Sequence, residues 1–163
     1  MAEFLPAVEK VLLLEGGLVD DPSDRGGITH YGISLRFLSG VNSQATADDI
    51  RALTKEKAIE FYRQYFWEPS GIAQIDNQVL ADKLFDMMVV MGRGNTIRLL
   101  QSVLGIDKDG MLGPMTASAA NEAQPAVLLK FMQLEGVRYF LEIARTQFSQ
   151  RRFLVGWLTR CLA

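Results

Sequence analysis

The sequence predicts a mainly α protein: a helical lobe with one small β hairpin near the N-terminus. Three observations carry this. Apolar residues recur at helical spacing over most of the chain. Glycine and proline mark the breaks in that pattern. Residues 16–34 alone lose the helical period, holding Gly16, Gly17, Pro22, Gly26, Gly27 and Gly32 around the short β-like pieces GLV and ITHYGIS.

In chain order, residues 3–15 put Phe4, Leu5, Val8, Val11, Leu12 and Glu15 near one helix face, with Gly16 as the expected left-handed stop. The hairpin or irregular loop follows. Thr46 is expected to cap a short helix to Leu53, and Thr54 the next one, KEKAIEFYRQYFW. Residues 77–91 are apolar on most sides, which predicts a central buried helix broken by Gly92. NTIRLLQSVLG is another helix, ended by Gly105. DKDGMLGP is a turn with Pro114 suited to a first helical position. Pro125 opens a long helix to about Phe148, and RRFLVGWLTRCL a short terminal one.

At 163 residues the chain is long enough for one domain with its own core. We expect a single domain over 1–163, with an N-terminal part at 1–70 carrying the hairpin and a helical part at 71–163. The net charge of −2 gives no global basic signature for nucleic acid. The charge is unevenly spread, however. Glu3, Glu9, Glu15, Asp20, Asp21 and Asp24 face only Lys10 in the first 24 residues, whereas residues 130–163 carry six bases and two acids. These stretches either meet across a cleft or face water separately. One cysteine and one histidine exclude an internal disulfide and argue against a Cys/His metal site, so neither metal nor cofactor is expected. MAEFLPAVEK lacks a basic n-region and long apolar h-region, so no classical signal peptide is expected, and no apolar run reaches membrane-spanning length.

The residues with chemical potential cluster in the opening stretch. Glu15 ends an apolar helix. A negative charge there opposes the macrodipole, and apolar neighbours disfavour the ionised form, both of which suit a proton donor. Asp24 follows after eight residues and Thr29 after four more. Taken singly, these are a helix-end glutamate, an Asx-turn aspartate and a strand threonine. Together they supply an acid, a carboxylate and a hydroxyl within fifteen residues. Glycosidic hydrolysis uses one proton donor and one ionised group or held water.

The stretch EGGLVDDPSDRGGITHYGIS resembles the signature of the glycoside hydrolase 108 muramidases, E-G-G-x-x-x-D-P-x-D-x-G-G-x-T-x-x-G-I. LTKEKAIEFYRQYFW, LFDMMVVMG, LQSVLGIDKDGMLGPMT and FLVGWLTR resemble later segments of the same family, the third being its peptidoglycan-binding-like part. The spacing is also similar to the acid, carboxylate and threonine trio of phage-type lysozymes, which have five residues before the threonine. The resemblance implies a lysozyme-like α+β fold with a cleft between lobes. It also implies hydrolysis of the β-1,4 bond between N-acetylmuramic acid and N-acetylglucosamine in peptidoglycan. Glu15 is then the general acid, with Asp24 and Thr29 holding water or stabilising developing charge. Val90 departs from a position that is often polar in the family, and His30 from one that is often Asn.

Tyr31 is a candidate to stack on a sugar ring, with core packing the alternative. Asp86, on the buried helix, needs partners; it is expected to bond the hairpin backbone or to line the cleft, where it is a candidate substrate-binding residue. His30 is expected at the hairpin or cleft edge without acid–base duty. Trp67, Trp157 and the methionines are expected in the core, and Cys161 as a buried thiol. Peptidoglycan glycan strands are the expected partner, with no membrane insertion and a monomeric state. The protein would reach the periplasm through a holin or an export system. Two alternatives stand beside the enzyme: a non-catalytic peptidoglycan-binding module, and a scaffold that has lost activity.

Overall fold

The computed structural model describes residues 1–20 and 27–163. Helix α1 (Phe4–Leu14) buries Phe4, Ala7, Val8 and Val11 and packs along α5 (Gln78–Met91). Leu5, expected on that face, is 53% exposed. The helix ends differently from expectation as well. Glu15 itself leaves the helix with extended backbone (φ −79°, ψ 120°), its N–H donating to the Val11 carbonyl at 2.8 Å. Gly16 is not in the left-handed region, because the exit is already made one residue earlier.

The hairpin pairs β1 (Thr29–His30) with β2 (Ile33–Ser34) antiparallel, Thr29 opposite Ser34 and His30 opposite Ile33. Val19 adds a single bridge to Thr29. The two-residue loop is Tyr31–Gly32, with φ of 50° and 76°. Positive φ at both positions is the twist-matched two-residue hairpin geometry, and it is costly for a non-glycine such as Tyr31.

Ser34 then caps α2 (Leu35–Val41), accepting from the Phe37 N–H at 3.1 Å. This helix has no counterpart in the sequence reading, where Ser34 closes a β-like piece. Thr46 caps α3 (Ala47–Arg51) through a reciprocal capping box with Asp49, and Thr54 caps α4 (Lys55–Tyr62). A π-helical turn, Arg63–Trp67, continues α4. Later α-helices are α6 (Arg93–Leu104), α7 (Pro114–Glu122), α8 (Pro125–Thr146) and α9 (Leu154–Leu162), with Pro114 and Pro125 at first positions and Gly105 left-handed at the end of α6. A 3-10 stretch, Phe148–Phe153, leads into α9.

This is the mainly α, lysozyme-like architecture the sequence predicts, with its one small hairpin. Nearly all the buried apolar side chains described form one connected cluster from Ala2 to Cys161. Trp67 lies within it, edge-on to Phe4 and Phe85, while Trp157 is half-buried and stacked on Phe140 at 4.7 Å. Among the described residues, no helix is long and apolar enough to cross a membrane.

Candidate active site

Helical spacing aims Glu15. It stands four residues past buried Val11, so it continues the face that α1 lays on α5. Its side chain remains 20% exposed. The hairpin turn closes over it. A Cβ on Gly32 would meet the Tyr62 hydroxyl and sit 2.7 Å from Glu15 Cγ and Cδ. Glycine is therefore required there twice, for positive φ and for the close approach. Tyr62 fixes the turn from below, its hydroxyl donating to the Tyr31 carbonyl at 3.0 Å.

The partner of Glu15 comes from the far end of the chain. Arg160 of α9 donates from Nη1 to Glu15 Oε1 and from Nε to Asp86 Oδ1, the latter at 2.5 Å. One guanidinium thus joins a carboxylate at the end of α1 to another in the middle of α5. Arg160 is 14% exposed and the Asp86 side chain 6%. Lys83, also buried, lies 3.8 Å from Asp86 Oδ2 and donates to the Arg160 carbonyl at 2.9 Å. Charges removed from water persist only when paired in this way. Burial pushes the Asp86 carboxyl above its ordinary range despite Arg160, and pulls the Lys83 ammonium below its own. Burial opposes the charge on Arg160 too, but the Asp86 and Glu15 carboxylates hold it above its usual value. Tyr62 is raised by burial and then by the nearby Glu15 charge.

The other sequence candidates fall as follows. Asp24 lies outside the described residues. Thr29 sits half-buried on β1, its hydroxyl donating to the Gly27 carbonyl at 3.2 Å. Tyr31 occupies the hairpin turn, half-buried and stacked on His30 at 4.1 Å. His30 Nδ1 meets the Ile50 carbonyl at 3.2 Å. Asp86 borders an apolar groove of about 310 Å³ between Leu14, Val79 and Leu129, but its oxygens are engaged by Arg160 and Lys83 rather than by hairpin backbone. Val90 is half-buried against the core, and Cys161 is buried as expected. Arg160, Tyr62, Gly32 and Lys83 are absent from the sequence reading of the site. The acidic front and basic tail were the one signal of the pairing.

The comparisons bear on this arrangement. The family model described as Glycosyl hydrolase 108 matches residues 8–92, which hold Glu15, the hairpin, Tyr62 and Asp86. The chain belongs to the glycosyl hydrolase 108 family. A second model, described as Predicted Peptidoglycan domain, matches residues 95–162 of this hydrolase. The solved structure of Brucella abortus SagA is similar to it with a TM-score of 0.74 and 27% identity, over 98% of this chain and 93% of that one. A comparison with curated proteins finds no match. The two family matches make the protein a glycoside hydrolase acting on peptidoglycan.

Proposed function

We propose that the protein is an N-acetylmuramidase, hydrolysing the β-1,4 bond between N-acetylmuramic acid and N-acetylglucosamine with Glu15 as general acid. The observation that carries this reading is the setting of Glu15: a carboxylate at the end of α1, roofed by the hairpin turn and tethered by Arg160. A proton donor of this kind must be held at one place and still be reachable. The glycosidic oxygen takes the Glu15 proton as its bond to the sugar C1 breaks. Water then adds its hydroxyl to that carbon and gives its remaining proton to a base on its own side, the Asp24 carboxylate, and Glu15 is reprotonated from solvent before the next turnover. Asp24 and Thr29 are the proposed partners that hold the water or stabilise the positive charge. Inversion is the favoured outcome, a water held by Thr29 attacking the face opposite the leaving group. Tyr31, exposed in part at the turn, is the proposed sugar contact. The enzyme is proposed to act as a monomer in the periplasm, delivered through a holin or an export pathway, in lysis or in passage of cargo through the wall.

A non-catalytic binding module is the competing reading, favoured by the match of residues 95–162 to a Predicted Peptidoglycan domain. There Gln101 organises the DKDGMLG turn, bonding Asp109 at 2.6 Å, the Met111 carbonyl and the Gly110 N–H. Purified Gram-negative sacculi separate the two. The muramidase releases muropeptides with a reducing N-acetylmuramic acid end, read by mass. Binding without release would favour the module, and anhydro ends would identify a lytic transglycosylase.

A further inference from the structure

Arg160 is held too deliberately for a surface ion pair. Its backbone carbonyl accepts from Lys83 Nζ at 2.9 Å, and its side chain spans Asp86 and Glu15. Among the described residues its third nitrogen, Nη2, is buried without a partner, and Asp86 and Glu15 are the carboxylates that orient the guanidinium. The register of α9 is fixed on both sides of it. Gln133 of α8 donates to the Leu162 carbonyl at 3.2 Å, and Cys161 is buried against Met87 and Gly136. A Cβ on Gly136 would sit 2.9 Å from Cys161 Sγ, so the close approach of α8 and α9 depends on that glycine.

From this we propose that Arg160 is the positioning residue of the catalytic acid, and that the C-terminal half completes the active site in addition to any binding it performs. The proposal rests on Glu15 being the acid. The family match that covers Glu15 ends at residue 92, and Arg160 lies in the other match, 145 residues from Glu15 in sequence. The cation acts in two ways. It fixes the carboxyl orientation through a charge-assisted hydrogen bond, which a flexible glutamate at a helix end lacks. It also stabilises the carboxylate that forms as the proton leaves, so its contribution is larger in the transition state than in the bound ground state. Asp86 anchors the Arg160 guanidinium and Lys83 its backbone carbonyl.

Full-length Arg160→Gln, Arg160→Lys, Asp86→Asn and Glu15→Gln are compared on purified sacculi, with folding followed by circular dichroism. The expected result is a fall in kcat of about 10- to 100-fold in Arg160→Gln with KM within about twofold of wild type, the scale of a misplaced catalytic group. Arg160→Lys recovers part of that loss, because an ammonium keeps one ion pair. Asp86→Asn loses less than Arg160→Gln, again in kcat. The proposal is overturned if Arg160→Gln keeps wild-type kcat, if KM rises while kcat holds, or if Lys is no better than Gln. Should Arg160→Gln fail to fold, the comparison of Arg160→Lys with Asp86→Asn gives the same decision: wild-type kcat in both overturns it. Full activity in Glu15→Gln would instead remove the acid assignment itself.

Discussion

Gly32 carries two demands at once. Its φ of 76° lies where a side chain costs about 1–2 kcal/mol, and a Cβ would push into Glu15. Gly32→Ala is expected to lower stability by at least that amount in urea unfolding and to reduce sacculus digestion about tenfold or more. Tyr62→Phe, which removes only the hydroxyl donated to the Tyr31 carbonyl, is expected to cost about 0.5–1.5 kcal/mol in the same unfolding measurement. Glu15 was legible from sequence as a carboxylate closing an apolar helix, and the glycines after it were legible as turn chemistry. The requirement at Gly32 was not, because it arises from contact with residues 17 positions before it and 30 after.

Local chemistry made most elements readable. Thr46, Thr54, Asn77, Pro114 and Pro125 each stand where a helix begins, through a cap bond or a proline that lacks the orphan N–H. Thr46→Ala is expected to cost about 1 kcal/mol and to leave kcat at the wild-type value, since the Thr46–Asp49 box lies at the exposed start of α3. Both follow from a denaturation curve and a turbidity assay on the same sample. Helix α2 escaped because it is only seven residues long, and its cap, Ser34, also closes β2. The end of α1 was misassigned for a related reason. Glycine marks a helix stop in sequence, but an extended residue before it serves equally well.

At the scale of the molecule, the long-range pairing of Glu15 with Arg160 turns the charge asymmetry of the sequence into a contact. No local pattern contains that information, because the partners are joined only when α9 is seated on α8 and its Arg160 reaches α5. The same seating buries Cys161, and burial raises its thiol from an ordinary 9.0 to about 11. The folded state then holds the thiol proton that the unfolded chain gives up. The stability so gained is fully present below pH 9 and is lost as pH rises through about 11. Cys161→Ala is expected to show a smaller loss of unfolding free energy between those limits than wild type, with Tyr62 and Lys83 titrating in both proteins. The central claim is that Glu15 supplies the proton that breaks the glycan chain. Its most direct test is the initial rate of reducing-end muropeptide release from purified sacculi by Glu15→Gln. The predicted rate is lower than wild type by about 10²- to 10⁴-fold, with sacculus binding and fold retained. A Glu15→Gln rate near that of wild type would contradict it.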